Sequence, residues 1–233
     1  MQPGGYALAF LLVSIGWLIF FQALLGRWQR IGWLVFGCGF LVGPLAGFVS
    51  HVLQQNLLPL AANGPDPVLR TIRWSDMLLF FVIVGPVEEF AKFLVVIPFA
   101  LRSRQFDRRS DIVLLGIACA AGFAGGENLL YLWQYGWSRT WLRLLSGNLG
   151  HIAYAMFWAY ALGATLMEQA RMEILPGGLL IASVAHGMYN YCLAFTGPIA
   201  FALAMLLAIS LAGLVFALVW QERRSQTGRL SRR

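Results

Sequence analysis

Gly85-Pro86-Val87-Glu88-Glu89-Phe90-Ala91-Lys92 places two carboxylates and an ammonium inside an otherwise apolar run from Met77 to Leu101. That run is long enough to cross a bilayer, which takes roughly 20 helical residues. An ionisable group at mid-membrane costs about 2.5–3.5 kcal/mol on insertion scales, so three within one and a half turns require a reason. Glu88 and Lys92 are four apart and Glu89 and Lys92 three apart, so the lysine can lean on either carboxylate from one helix face. Pro86 has no N–H to give the carbonyl one turn back, so the helix is expected to bend just before the glutamates. A buried ion pair that merely fixes helix register is the bland alternative.

The rest of the composition agrees with a membrane setting. Of 233 residues, 59% are hydrophobic and 12% charged, with mean hydropathy +0.70. Such a balance excludes a water-soluble globule and predicts an all-α, polytopic transmembrane bundle forming one integral domain over 1–233. The net charge of +7 lies in short basic patches between apolar runs. Those patches suit anionic lipid headgroups at the cytoplasmic face rather than nucleic acid. Met1-Gln2-Pro3-Gly4-Gly5 lacks the positive start of a cleavable signal peptide. Cys38, Cys119 and Cys192 each fall within an apolar run, so neither a disulfide framework nor a thiolate metal site is expected.

Seven spans are expected: Gly5–Leu25, Trp33–Leu58, Asp76–Leu101, Asp111–Tyr135, Gly147–Glu168, Gly178–Phe195 and Pro198–Trp220. Gly/Pro punctuation falls at Asn63–Pro67, Pro176–Gly178 and Gly197-Pro198. Arginines set the orientation. One side receives Arg27, Arg30, Arg102, Arg104, Arg108, Arg109, Arg171 and the five arginines of the tail 221–233; the other receives Arg70, Arg73, Arg139 and Arg143. That bias predicts a cytoplasmic C-terminus and an N-terminus outside.

Further polar residues interrupt the apolar runs. His51 lies near the outer end of span 2, where a lone histidine usually only packs. Span 4 carries Gly122-Phe123-Ala124-Gly125-Gly126-Glu127-Asn128 and then Tyr131. Its glycines allow close helix approach, and Phe123, Glu127 and Tyr131 share a face. Span 5 opens with Asn148 and His151, followed by Tyr154, Phe157, Trp158 and Tyr160, which read as packing or lipid-facing rings. Span 6 carries His186 and Asn190, four apart and therefore projecting together. If spans 3 to 6 alternate in direction, Glu88, Glu127, His151, His186 and Asn190 all lie roughly 6–18 Å below the outer surface, at about 1.5 Å per residue. Unrelated structural polar residues had no need to agree in depth, so one outward-opening cavity is expected.

Acids and histidines without thiols are donors suited to Zn²⁺ with an open water position, and a neighbouring glutamate would serve as base on that water. A glutamate pair can also activate water without metal, with His186 and Asn190 donating hydrogen bonds to an oxyanion. Both routes hydrolyse a carbonyl compound, above all a peptide bond. Neither a G-x-S-x-G nor an HExxH is present.

Glu88-Glu89-Phe90-Ala91-Lys92 resembles the EExxK motif of the PrsW family of intramembrane proteases. Phe123 to Glu127, continuing to Asn128 and Tyr131, resembles its FxxxE(N) motif. His151 resembles its third-motif histidine, and His186 to Asn190 its HxxxN/D motif. Each motif is weak alone; all four in order, over spans 3 to 6 (about 76–196), are specific. The related type II CAAX prenyl endopeptidases have Arg where Lys92 stands and His where Glu127 stands. The resemblance implies a multi-pass protease of a prokaryotic plasma membrane. Its substrate would be a single-span regulatory protein, such as an anti-sigma factor, cut near the outer face. It implies Glu88 as the base, with Glu89 and Lys92 tuning it. Glu127, His151 and His186 would be ligands of Zn²⁺ or their metal-free equivalents. Two other function classes compete: a non-catalytic membrane scaffold, disfavoured by retention of all three glutamates, and a small proton-coupled transporter. The transporter is disfavoured because nothing comparable continues the polar path through the inner half.

Overall fold

A computed structural model describes residues 3–24, 35–57, 77–102, 106–137, 143–168, 171–194 and 197–230. Among them are seven α-helices: α1 (Pro3–Leu24), α2 (Gly43–Leu57), α3 (Gly85–Arg102), α4 (Arg109–Tyr135), α5 (Arg143–Glu168), α6 (Ile174–Ala194) and α7 (Pro198–Leu230). No strand occurs among the described residues, so the fold is all-α. Asn63–Pro67 and Arg27, Arg30, Arg70, Arg73, Arg104 and Arg139, used above for punctuation and orientation, lie outside the described residues, as do the side chains of Gln54, Gln55 and Asn56.

Two π-helical turns, Val35–Phe40 and Leu79–Val84, precede α2 and α3. The second has a local cause. Pro86 can donate no hydrogen bond backwards, and the Gly85 N–H reaches Phe80 O, five residues back. The helix therefore widens where a bend was expected, directly before the glutamates. Pro98 lies further along α3.

α4 is the central element. Asp111 starts it: its Oδ2 accepts the backbone N–H groups of Asp107 at 3.0 Å and Arg108 at 3.1 Å, satisfying donors that a helix start leaves unpaired. From Ile112 to Ala124 the α4 side chains are buried, and α1, α2, α5 and the first π turn all pack on it, α5 most extensively. Small residues set these distances. A Cβ added at Gly122 would collide with the Phe40 carbonyl, so this glycine permits close approach as its sequence context suggested. α1 is tied to α5 by Ser14 Oγ donating to Asn148 Oδ1 at 2.8 Å.

The outside of the bundle is apolar. Leu12, Phe20, Leu45, Phe48, Val82, Leu203 and Leu206 are exposed, whereas Ala204, Ala208, Ala212, Val215 and Val219 form the buried stripe of α7. Two described helices, over Arg109–Trp133 and Pro198–Gln221, are long and apolar enough to cross a membrane.

Three element boundaries differ from the sequence reading. α5 begins at Arg143, one turn before Gly147. α6 begins at Ile174, so Pro176 sits in a first helical turn, where a missing N–H costs nothing, rather than between helices. α7 continues as helix ten residues beyond Trp220.

Candidate active site

Four helices deliver the site. Glu88, Glu89 and Lys92 come from α3, Phe123 and Glu127 from α4, His151, Tyr154 and Trp158 from α5, and His186 from α6. Glu127, His151 and His186 each lie eight residues from the end of their helix on one side of the bundle (Tyr135, Arg143 and Ala194). Glu88, His151 and His186 converge, and Glu127 reaches His151 from α4.

The α3–α6 crossing brings the two glutamates to His186. A Cβ on Gly85 would strike the Ser183 carbonyl, and one on Gly187 would lie 2.7 Å from Phe80 O. With glycine on both helices, backbone meets backbone. Glu88 and Glu89 then stand at the two edges of one imidazole. His186 Nδ1 is 2.8 Å from Glu89 Oε1, and Nε2 is 3.6 Å from Glu88 Oε2.

Glu89 is the committed carboxylate. It accepts from Lys92 Nζ at 2.6 Å, from His186 Nδ1, and from Trp158 Nε1 at 3.0 Å. Glu89 and Lys92 are both fully buried, and the Lys92 ammonium lies 4.4 Å from the centre of the Phe123 ring. The sequence left the lysine a choice of two glutamates. The bond the structure makes is to Glu89, at i, i+3. His186 and Trp158 fix Glu89 where the ammonium can reach it.

His151 links this pair to α4. Its Nδ1 is 2.9 Å from Lys92 Nζ, and its Nε2 is 2.7 Å from Glu127 Oε2. Glu127 Oε1 also receives Arg143 Nη2 at 2.9 Å, and the Arg143 guanidinium lies 3.8 Å over the Tyr131 ring. The face shared by Phe123, Glu127 and Tyr131 is thus turned to α5 throughout. Arg143 and Glu127 are 18% and 20% exposed, against none for Glu89 and Lys92. Access to the cluster is therefore from the Arg143 end.

The donor atoms that come together as a group are those of Glu88, His151 and His186, all within 4.8 Å of one another and all buried. The sequence grouped Glu127 with the two histidines. In the structure Glu127 stands behind His151 as its hydrogen-bond partner, and Glu88 faces the histidines. Two imidazoles and a carboxylate, with Glu89 and Glu127 each on a ring nitrogen, form a donor set that fits a borderline divalent ion such as Zn²⁺.

Asn190 is half-buried one turn beyond His186, and His51 is exposed on α2. Sequence reasoning missed three residues. Arg143 was assigned to a loop, although Arg143, Gly147 and His151 fall at i, i+4, i+8. Trp158 lies seven residues beyond His151 and so on its face. Tyr154 stacks on His186 at 5.2 Å. Tyr154 and Trp158 are fully buried; of the two readings left open, packing or lipid-facing, they pack, and they do so in the site wall.

Residues 27–220 match the family model described as PrsW family intramembrane metalloprotease. Protease PrsW of Halalkalibacterium halodurans is 32% identical over 165 residues, covering 70% of this chain and 70% of that protein. Protease PrsW of Shouchella clausii is 30% identical over 118 residues, 50% of this chain and 55% of its own length. Protease PrsW of Bacillus subtilis is 27% identical over 155 residues, 66% of this chain and 64% of its own length. No solved structure matches the chain.

Proposed function

The chain belongs to the PrsW family of intramembrane metalloproteases, and on that premise we propose that it hydrolyses a peptide bond of a single-span regulatory protein near the outer face of a prokaryotic plasma membrane. An anti-sigma-factor-like protein is the substrate class implied by the motifs. The observation that carries this reading is the division of labour between adjacent glutamates. Glu89 is consumed by three donors, from Lys92, His186 and Trp158, whereas Glu88 belongs to the donor group with both histidines.

Glu88 is the base: it takes a proton from the attacking water and returns it to the departing amine. Glu89 holds His186 by Nδ1, which keeps the Nε2 lone pair directed to the Glu88 side. Glu127 holds His151 by Nε2, which leaves the Nδ1 lone pair on the Lys92 side, and is itself anchored by Arg143. Asn190, four residues beyond His186 on α6, supplies an amide donor for the carbonyl oxygen. Glu88, through one carboxylate oxygen, with His151 and His186 would hold the ion, the other Glu88 oxygen remaining the base; when bound, the ion supplies Lewis acidity towards the carbonyl and lowers the pKa of its water. The exposed apolar faces of α1, α2 and α7 suit lipid, and the basic tail suits anionic headgroups at the cytoplasmic side.

The test is cleavage of a single-span substrate in proteoliposomes. Wild type should cut it, and Glu88→Gln, which keeps shape but cannot take a proton, should cut about 10²–10⁴-fold more slowly. Full activity in a folded Glu88→Gln protein rejects the assignment.

A further inference from the structure

We propose that Lys92 is a displaceable occupant of the His151 lone pair, and that it thereby sets how tightly a divalent cation binds Glu88, His151 and His186. The proposal rests on the metal-assisted reading of this site.

Both ring nitrogens of His151 are in use. Nε2 lies 2.7 Å from Glu127 Oε2, and Glu127 is paired with the Arg143 guanidinium. A carboxylate only accepts, so Nε2 carries the proton. Nδ1 lies 2.9 Å from Lys92 Nζ. An ammonium has no lone pair, so Nδ1 accepts. The single lone pair that His151 can offer an ion is therefore covered by an internal cation. His186 is arranged the other way round. Its Nδ1 donates to Glu89 at 2.8 Å, which leaves the Nε2 lone pair on the side of Glu88. Two of the three ligands are preset, and the third is guarded.

The ammonium has a place to withdraw to. Glu89 Oε1 holds it at 2.6 Å from the same helix, and the Phe123 ring lies beneath it. Its flexible stem lets it give up Nδ1 while keeping Glu89. An arriving ion thus exchanges one N–H···N hydrogen bond for a coordinate bond. It then remains beside a positive charge in a buried, weakly screened place, where like charges repel strongly. Lys92 keeps cation affinity lower than the same three ligands would have without it. The ion class is a borderline divalent one, Zn²⁺ or its spectroscopic substitute Co²⁺.

The experiment uses the full chain in detergent, stripped with chelator and titrated with Zn²⁺ by calorimetry, with Co²⁺ absorption as a readout of coordination. Wild type is compared with Lys92→Met. A double variant, Lys92→Met with Glu89→Gln, removes both buried charges and so covers the case in which the single variant does not fold. Wild type should bind about one equivalent, as expected for one catalytic site. Either Lys92 variant should bind about ten- to a hundredfold more tightly, the range that partners of metal-binding histidines command. Adding His151→Ala should abolish the gain. Equal or weaker binding in the Lys92 variants, with wild type still taking up one equivalent, overturns the role given to Lys92 and leaves the metal site standing. A gain that survives His151→Ala also overturns it. Absence of Zn²⁺ and Co²⁺ binding in every folded protein, wild type included, overturns the metal-assisted reading itself.

Discussion

Two neighbouring glutamates meet different fates here because one helical position turns them about 100° apart. Glu89 faces inward to Lys92, Trp158 and His186; Glu88 faces the histidine donor group. Substitution should separate the two roles by stability as well as rate. Glu89→Gln leaves the fully buried Lys92 without its anion. Breaking one side of a buried pair typically costs about 3–5 kcal/mol. Glu89→Gln should therefore lower the thermal midpoint clearly, whereas Glu88→Gln should leave it nearly unchanged. Differential scanning fluorimetry on both variants checks this; equal midpoints would contradict the committed role of Glu89.

At the scale of elements, the site depends on how closely α3 and α6 cross. The π turn Leu79–Val84 and the pair Gly85/Gly187 let backbone lie on backbone. A methyl at Gly85 meets the Ser183 carbonyl, which cannot rotate away as a side chain can, so the helices must part. Overpacking of this kind costs about 1–3 kcal/mol. A displacement near 1 Å between Glu88 and His186 is expected to cost about 10²-fold in rate. Gly85→Ala should thus lose activity out of proportion to stability. Measuring cleavage and thermal midpoint together decides the point, since loss of both in step would mean simple unfolding. The sequence marked Pro86 as a bend and the glycines of α4 as contact points. It did not mark Gly85 and Gly187 as a pair, because nothing in either helix alone reports which residue of the other it crosses.

For the whole molecule, the arginine bias predicts one topology. In the orientation expected from the arginines, the basic tail would lie in the cytoplasm and the α4–α5 connection near Gly136 outside, on the side from which Arg143 and Glu127 are reached. A phosphatase reporter after Gly136 should be active, and one after Arg233 inactive, with a cytoplasm-dependent reporter giving the opposite pattern. The reverse result would place the open end of the site on the cytoplasmic side and move the substrate's cut with it.

The sequence alone determined the helical class, the order of the four motifs and the spacing of their polar residues along each helix. Those properties follow from apolar run lengths and from the 1.5 Å rise per residue, which are local. Helical periodicity also put Phe123, Glu127 and Tyr131 on one face before any packing was known. Which groups touch was decided only by the tertiary structure. Lys92 could reach either glutamate along its own helix, and the choice of Glu89 came from Trp158 on α5 and His186 on α6. Glu127 and Glu88 were both reasonable partners for the histidines, and Arg143, ordered by the early start of α5, drew Glu127 behind His151. A helix's period states which side chains share its face. The rotation of that face against its neighbours is set by glycine contacts and buried hydrogen bonds between segments far apart in the chain, and no single segment carries that information.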